Sequence, residues 1–285
     1  MPPSDLTIVH TVADLRARVA GWRAAGERIG LVPTMGALHD GHLSLVRRAR
    51  QAAPRVVATI FVNPTQFAPN EDFDAYPRDE ARDAGLLASV GCDLLYAPTP
   101  DQIYPEGFAT TVTVAGVSEP LDGQTRPSHF AGVATVVAKL LIQAAPDVAV
   151  FGEKDYQQLL VIRRLVRDLD LPVEIIGAPT IRTQDGLARS SRNAYLTEDQ
   201  RQVASQLNLI LAQAAAALAG GADVAGVEQR ATDALIQAGF DSVDYVEARS
   251  AEDLARLGPG PLNGPARVLA AARLGRTRLI DNMAV

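Results

Sequence analysis

The sequence predicts an α/β protein with a doubly wound parallel sheet and a smaller α+β domain at the C-terminus. Apolar runs of strand length alternate with segments of helical spacing over the first 179 residues. Hydrophobic residues make up 47% of the 285-residue chain, which is enough for a large core. Aromatic residues make up only 5%, which favours helices packed on an aliphatic sheet over a β-sandwich. In such folds, ligands bind beyond the carboxyl ends of the strands.

The predicted strands and helices alternate along the N-terminal part of the chain. Strands are predicted over residues 29–34, 56–63, 93–98, 147–152 and 173–179. The clearest helix covers His129–Ala144, where apolar residues recur at i, i+3, i+4 and i+7 until Pro146. A second helix covers 156–169. Because helices separate most of these strands, we expect the sheet to be parallel.

The pattern changes after Pro179. Further elements are predicted there, namely helices over 205–219 and 225–238 and strands over 244–248 and 267–272. We therefore place a domain boundary near Thr180, which divides the chain into domains 1–179 and 180–285.

Charge, cysteine content and the N-terminus limit the possible partners. The net charge of -6 argues against a general nucleic-acid binder, so any anionic ligand must be held by local groups. The single cysteine, Cys92, cannot form an intramolecular disulfide and suits a reducing cytoplasm. Residues 1–5 lack a basic n-region, and no uncharged apolar stretch is long enough to span a membrane. We expect a cytoplasmic protein that binds neither nucleic acid nor membrane.

Residues 35–42 predict an anion site at the start of a helix near His42. His39 and His42 lie three residues apart and face the same side of one turn. Gly41 removes a Cβ where a phosphate or ribose would approach the backbone. A helix start also supplies free amides and the positive end of the dipole. A zinc site is the alternative use of two such histidines, but no third ligand lies nearby at suitable spacing.

Two later segments add candidate phosphate ligands. After the strand at 147–152, Lys154 offers a compact positive charge, and Asp155 is placed to cap the next helix or to hold Mg²⁺ through water. The alternative is an ordinary strand-to-helix turn. Residues 186–193 combine two serines with two arginines, which suits phosphate contact, although a solvated basic loop is the competing interpretation.

The three segments together predict chemistry on ATP. The chain has neither G-x-G-x-x-G nor G-x-x-x-x-G-K-[ST], which disfavours a dinucleotide dehydrogenase and a P-loop NTPase. A histidine pair at one strand end with a later Ser-rich basic loop is expected where the α-phosphate of ATP is attacked and pyrophosphate leaves.

These segments also resemble a known family. Residues 35–42 resemble the HxGH signature of the nucleotidyltransferase superfamily, and 189–192 its KMSKS-type loop. In chain order, further segments are similar to the pantothenate synthetase (pantoate:beta-alanine ligase) family, at 61–67, 76–78, 126–130, 151–155 and 190–193. The resemblance implies a Rossmann-like, nucleotidyltransferase-type fold, with a nucleotide- and pantoate-binding domain at 1–179 and a lid domain at 180–285.

The activity implied by the resemblance is the ATP-dependent condensation of (R)-pantoate with beta-alanine. The products are pantothenate, AMP and pyrophosphate, and the intermediate is pantoyl adenylate. The expected partners are ATP, pantoate, beta-alanine and a second copy of the chain in a homodimer, with Mg²⁺ as cofactor. Two alternatives stay open: a different nucleotidyltransferase, which leaves Gln66 and Gln158 unexplained, and a catalytically silent nucleotide-binding module.

The resemblance also implies site residues. The expected catalytic residues are His42, His39, Lys154 and Arg192. The expected ATP-binding residues are Met35, Gly36, Ala37, Leu38, His39, Asp40, Gly41, His42, Gly152, Glu153, Lys154, Asp155, Ile181, Arg189, Ser190, Ser191 and Arg192. The resemblance implies that His42 is a proton donor. A helix start disfavours imidazolium while ATP favours it, so a role as a neutral hydrogen-bond donor is equally open.

Pantoate is expected to contact Gln66, Gln158, Asn63 and His129, and beta-alanine is expected to contact Gln66. Asp83 and Asp155 are the expected residues near Mg²⁺. Arg189 departs from the family, which has an aliphatic residue there. Its guanidinium is therefore expected either to stack on the adenine or to point to solvent. Ser128, where relatives often have glycine, is a milder departure.

Overall fold

The computed structural model describes residues 6–67 and 73–285. Residues 1–5, on which the expectation of no secretory signal rests, lie outside the described residues. The N-terminal part is built on six parallel strands, namely β1 Thr7–Val9, β2 Ile29–Thr34, β3 Arg55–Ile60, β4 Leu94–Tyr96, β5 Val148–Gly152 and β6 Glu174–Ala178. Their order is β1-β4-β3-β2-β5-β6, and the predicted doubly wound α/β fold is confirmed.

Helices connect these strands. They are α1 Val12–Ala24, α2 Asp40–Ala52, α3 Glu80–Ser89, α4 Pro100–Ile103, α5 Asp122–Thr125, α6 His129–Ala144 and α7 Tyr156–Asp168. The prediction for α6 is confirmed at both ends, since Ala145 adopts a left-handed conformation (φ 41°) just before Pro146. Strand β1 was not predicted, because three residues at a sheet edge give too short a pattern.

The strand order creates a crevice beside β2. From β2 the chain moves outward through β3 and β4, and it then returns to place β5 against the other edge of β2. Connections leave β2 and β5 on opposite sides of the sheet, so a cleft forms beyond their carboxyl ends. The histidine pair follows β2, and Lys154 follows β5. The topology therefore brings two of the three predicted phosphate segments together.

The C-terminal part forms a second layer. Its elements are α8 Glu198–Ala219, α9 Val224–Ala238, β7 Ser242–Ser250, β8 Ala266–Leu274 and β9 Thr277–Ala284, with the strands antiparallel in the order β7-β8-β9. The predicted start of α8 at 205 is wrong. Thr197 caps the helix in a capping box with Gln200, so the polar first turns are helical.

The two parts have their own cores but share contacts. Residues of α8, α9 and the small sheet form one apolar cluster. Leu254 and Leu269, however, belong to the core of the larger sheet. The change of sheet after Ala178 agrees with a boundary near Thr180, while the division into 1–179 and 180–285 stays a prediction.

Helix α8 is the one described helix long and apolar enough to cross a membrane by length and composition. Its face carrying Leu207, Leu211 and Leu218 is buried in the C-terminal core. Core helices of globular domains pass the same test, and we interpret α8 as one of them.

Candidate active site

A cavity of about 1210 Å³ opens at the carboxyl ends of β2 and β5. Residues from all three predicted phosphate segments line it. The predicted site residues on its wall are Met35, His39, Gly41, His42, Asn63, Gln66, His129, Gly152, Lys154, Asp155, Gln158, Ile181, Arg189, Ser190, Ser191 and Arg192. The groups predicted from distant parts of the chain therefore share a single cavity.

The two histidines are held by the backbone at the start of α2. The helix begins at Asp40, slightly earlier than predicted, and His39 is its N-cap. His39 Nδ1 accepts a hydrogen bond from the Gly41 N–H at 3.1 Å, and His42 Nδ1 accepts from the His39 N–H at 3.4 Å. An amide N–H can only donate, so each neutral ring carries its proton on Nε2. The Nε2–H of each ring remains as a donor.

The surroundings keep both rings uncharged at neutral pH. Burial lowers the pKa of His42 to about 3, and the neighbouring His39 and Lys154 add to this effect. Burial likewise lowers the pKa of His39 to about 4, with Lys154 and Arg189 contributing. The ring centroids are 4.1 Å apart, and a pair this close disfavours protonation of both rings. The geometry supports neutral hydrogen-bond donors rather than imidazolium acids.

The structure adds a second reason for Gly41 to the predicted one. A Cβ at this position would lie 2.8 Å from Cε1 and 2.9 Å from Nδ1 of His39. Contacts this short do not occur, so glycine makes room for the folded-back imidazole. Gly41 also lines the cavity, so the expectation that it lets a phosphate or ribose approach the backbone stays a prediction.

The segment before the helix is fixed from behind by Asp83. This carboxylate is 1% exposed, and its Oδ1 accepts from the Leu38 N–H at 2.9 Å. Burial raises the pKa of Asp83, whereas the backbone hydrogen bonds lower it. Asp83 is absent from the cavity wall, as are Gly36, Ala37, Leu38 and Asp40. Asp83 therefore supports the loop from behind. Its carboxylate does not reach the cavity, where it was expected to lie near Mg²⁺.

The Lys154 turn leaves β5 as a single 3₁₀ turn and continues into α7. Lys154 is largely buried on the cavity wall, with its Nζ 3.6 Å from Asp155 Oδ1. Asp155 occupies the N-cap position of α7 but makes no capping hydrogen bond, so the predicted capping role is wrong. Glu153 does not line the cavity, because its carboxylate pairs with Arg267 at 3.2 Å.

The Ser-rich loop reaches the cavity from the other side. Ser190 Oγ accepts from the Arg192 N–H at 3.3 Å and begins a short 3₁₀ turn, Ser191–Tyr195. Arg189 Nη2 lies 3.1 Å from Asp40 Oδ2. The Arg189 side chain is 40% exposed and its guanidinium pairs with the first residue of α2, while the two expectations for it, stacking on adenine or pointing to solvent, stay predictions.

Asn63 and Gln66 form a hydrogen-bonded pair on the wall. Asn63 is 1% exposed, and its Nδ2 donates to Gln66 Oε1 and to the Gly132 carbonyl, both at 3.1 Å. Its Oδ1 accepts from the Tyr104 hydroxyl at 2.7 Å. Because these bonds engage both N–H groups of Asn63, its amide orients Gln66. His129 Nδ1 lies 2.9 Å from the backbone carbonyl oxygen of Gln66.

The protein side chains on the cavity wall fit Mg²⁺ only if phosphate oxygens supply some of the ligands of the ion. Within residues 6–67 and 73–285, no group of three or more His, Cys, Asp or Glu side chains is placed to hold a metal ion. Asp155 is the carboxylate of the predicted metal pair that reaches the cavity wall. One carboxylate with phosphate oxygens and water is a usual Mg²⁺ environment, whereas a zinc site needs three or four protein ligands.

Sequence motifs missed the contribution of β9. Arg278 and Asn282 line the cavity, although this strand was not predicted. Arg278 lies 2.7 Å from Asp122 and 2.7 Å from Asp244, and the Tyr245 hydroxyl donates to Asp122 at 2.8 Å. Burial raises the pKa of Asp122, but Arg278 outweighs this and holds that pKa below its usual range. The available signal for β9 was the short run of apolar residues at 277–284 with polar residues between them.

The parallel sheet, the His-x-Gly-His helix start and the Ser-Ser-Arg loop on one cavity define a protein of the nucleotidyltransferase-like α/β class. The family model for pantoate–beta-alanine ligase matches residues 7–284. A pantothenate synthetase of Caulobacter vibrioides is 64% identical over 279 residues, covering 98% of each chain. That of Paramagnetospirillum magneticum is 61% identical over 279 residues, covering 98% of this chain and 97% of the relative.

Solved structures of the same family have a similar fold. Pantothenate synthetase from Thermus thermophilus superposes with a TM-score of 0.91 at 48% identity, covering 98% of this chain and 99% of that one. Pantoate-beta-alanine ligase from Francisella tularensis, complexed with beta-gamma ATP and beta-alanine, gives a TM-score of 0.82 at 34% identity, covering 98% and 97%. The chain belongs to the pantoate–beta-alanine ligase family, and it is a ligase.

Proposed function

We propose that the protein condenses (R)-pantoate with beta-alanine at the expense of ATP, forming pantothenate, AMP and pyrophosphate through pantoyl adenylate. The observation that carries this proposal is the convergence of His39, His42, Lys154 and the 190–192 loop on the cavity that also contains Gln66 and Gln158. One cavity then holds the triphosphate and the acyl substrate side by side.

In the first step a pantoate carboxylate oxygen attacks the α-phosphorus, and pyrophosphate leaves. His39 and His42 donate Nε2–H hydrogen bonds to phosphate oxygens, and the free amides of α2 add a positive field. Lys154 and Arg192 stabilise the negative charge that develops on the transferring group. Catalysis of this kind depends on position and charge rather than on a covalent enzyme intermediate.

The neutral amides of Gln66 and Gln158 bind the pantoate hydroxyls without competing for the reactive carboxylate. Asn63 holds Gln66 in place, and His129 closes the same part of the wall. In the second step the beta-alanine amine attacks the acyl carbon beside Gln66, and AMP leaves. The remaining ATP contacts are assigned to Met35, Gly41, Gly152, Ile181, Ser190 and Ser191.

Bound together with ATP, Mg²⁺ would supply positive charge that neutralises part of the phosphate charge. Asp155 is the residue that would hold it, through water. The proposal includes a homodimer, a cytoplasmic location and a lid role for 180–285, in which the Ser-rich loop closes over the phosphates. Of the open alternatives, a different nucleotidyltransferase would have no use for the Asn63–Gln66 pair. A silent binding module would also use Lys154 to hold phosphate, so turnover is what separates it from the ligase.

An AMP-release assay tests the proposal. Release should need ATP, pantoate and beta-alanine together, and omission of any one should abolish it. Exchange of labelled pyrophosphate into ATP should require pantoate and proceed without beta-alanine. ATP binding without AMP release in the complete mixture would establish the silent module instead, and exchange supported by another carboxylate but not by pantoate would establish a different ligase.

A further inference from the structure

Strand β9 contacts the backbone of the Lys154 turn through one side chain. Asn282 Nδ2 donates to the carbonyl oxygens of Glu153 and Lys154, each at 2.9 Å. Both N–H groups of the amide are thus directed at the residue that carries the catalytic ammonium and at its neighbour. Asn282 is 5% exposed, so these bonds are shielded from competing water.

A second side chain fixes Asn282 in turn. Its Oδ1 accepts a hydrogen bond from Arg267, whose Nη2 lies 3.2 Å from Glu153 Oε2. The same guanidinium lies over the Tyr156 ring, with Cζ 3.9 Å from the centroid. Asn282 of β9 and Arg267 of the neighbouring strand β8 therefore contact the turn at Glu153, Lys154 and Tyr156.

The Lys154 ammonium also pairs with Asp155 at 3.6 Å, but the backbone of the turn receives no side-chain cap of its own. Neither Gly152 nor Asp155 supplies a side-chain capping bond to it. The Lys154 ammonium sits on a flexible four-carbon chain, so its position depends on where the backbone directs that chain. A displacement of about 1 Å at a reacting group can cost about 100-fold in rate.

We infer that Asn282 is a positioning residue for Lys154, an inference that rests on the proposed adenylation reaction. The adjacent residue strengthens it. Asp281 pairs with Arg182 through both oxygens, at 2.6 and 2.9 Å, and Arg182 lies in the segment leading to the Ser-rich loop. Consecutive residues of β9 thus hold two phosphate-binding elements in one relative placement.

The kinetic test is a double-mutant cycle between Asn282→Ala and Lys154→Ala, read by pantoate-dependent pyrophosphate exchange. Asn282→Ala should lower kcat about 10- to 100-fold and change the KM for pantoate less than about threefold. In the Lys154→Ala background the same change should cost less than about twofold, because its effect passes through the lysine. An equal loss in both backgrounds overturns the inference.

Two further variants separate positioning from stability. Asn282→Asp keeps the side-chain shape but replaces the donor amide by a carboxylate that repels both carbonyls, so it should be at least as slow as Asn282→Ala. Asn208→Ala removes a partly buried asparagine of the C-terminal part that is absent from the cavity wall, and it should keep wild-type kcat. Thermal unfolding is recorded for each. If Asn282→Ala and Asn282→Asp lose thermal stability but keep wild-type kcat, the inference is wrong.

A substrate-free measurement keeps this test independent of the proposed reaction. The chain has two lysines, Lys139 and Lys154, so ¹³Cε-lysine labelling gives two assignable side-chain signals. In Asn282→Asp the Lys154 signal should shift or broaden while the Lys139 signal stays in place. An unmoved Lys154 signal refutes the positioning role, whereas absence of pantoate-dependent exchange in the wild type refutes only the proposed function.

Discussion

Arg189 Nη2 lies 3.1 Å from Asp40 Oδ2, and this ion pair joins the Ser-rich loop to the first residue of α2. Both side chains are substantially exposed, so the pair contributes at most about 1 kcal/mol to folding. The pair matters for function because Asp40 offsets the positive charge that Arg189 presents to ATP.

Replacing Arg189 should weaken ATP binding, whereas replacing Asp40 should not. Arg189→Leu removes a cation beside the phosphate site and should raise the KM for ATP about two- to fivefold at low salt. Asp40→Asn releases Arg189 from its carboxylate and should lower that KM or leave it unchanged. Steady-state kinetics at two ionic strengths measure both effects, since salt screens exposed charges.

Arg201→Leu is the matched control for this prediction. Arg201 also pairs with an aspartate in the same region, Asp185 at 3.0 Å, but it does not line the cavity. The KM for ATP should stay at the wild-type value. A rise in this KM for Asp40→Asn equal to that for Arg189→Leu would contradict the charge argument.

The histidine pair predicts loss of stability on mild acidification. Each histidine has a pKa near 6.5 when unfolded, but burial lowers the folded pKa to about 4 for His39 and about 3 for His42. A lowered pKa gives stability that is present above pH 6.5 and is lost as pH falls towards the folded value. At pH 5 each group costs up to about 2 kcal/mol relative to pH 8.

Urea unfolding of His42→Gln at pH 8 and pH 5 checks this point. The decrease in the free energy of unfolding between the two pH values should be smaller in the variant than in the wild type, by up to about 2 kcal/mol. His39→Gln should behave in the same way. Identical pH dependence in wild type and both variants would show that folding does not lower the pKa of either histidine.

Lys154 and Arg192 should matter for rate more than for ATP affinity. Lys154→Ala should lower pyrophosphate exchange by about 100- to 1,000-fold, a range typical for loss of a group that stabilises transition-state charge. Arg192→Ala should lower kcat by a similar factor and weaken ATP binding less than about tenfold. Circular dichroism confirms that the fold is kept, and equilibrium dialysis measures ATP binding. A loss confined to ATP affinity would remove the catalytic role.

The Arg278–Asp122 pair should be a strong stability determinant. Both side chains are largely buried, so Arg278→Gln leaves Asp122 deprived of its main counter-charge and should cost about 3 to 5 kcal/mol. Arg164→Gln, at the half-exposed i,i+4 pair Arg164–Asp168, should cost under about 0.5 kcal/mol. Chemical unfolding at pH 7 distinguishes the two.

Acid adds a second check on this pair. Because the pKa of Asp122 is lowered in the folded state, the stabilisation is complete above the unfolded pKa near 4 and is lost as pH falls below it. The difference in unfolding free energy between wild type and Arg278→Gln should therefore shrink below pH 4. A difference that stays constant from pH 7 to pH 3 would contradict the assignment.

The local sequence pattern was sufficient to predict a helix or strand wherever its conformation depended on its own residues. The α6 bounds followed from apolar spacing and Pro146, and the order of strands and helices fixed a doubly wound sheet with its cleft at the strand ends. The phosphate-binding candidates could be read because histidines, lysine, serines and arginines follow strand ends in the sequence. Their convergence on one cavity then followed largely from topology.

By itself, then, the sequence determined the α/β class, the family resemblance and the phosphate-binding candidates on the cavity wall, since these depend on residue type and local periodicity. Only the tertiary structure decided that Asp83 and Glu153 turn away from the cavity, that Arg189 pairs with Asp40, and that β9 brings Asn282 to the Lys154 turn. The physical reason is that a polar side chain is directed by its hydrogen-bond partners, and here those partners lie far away in the chain.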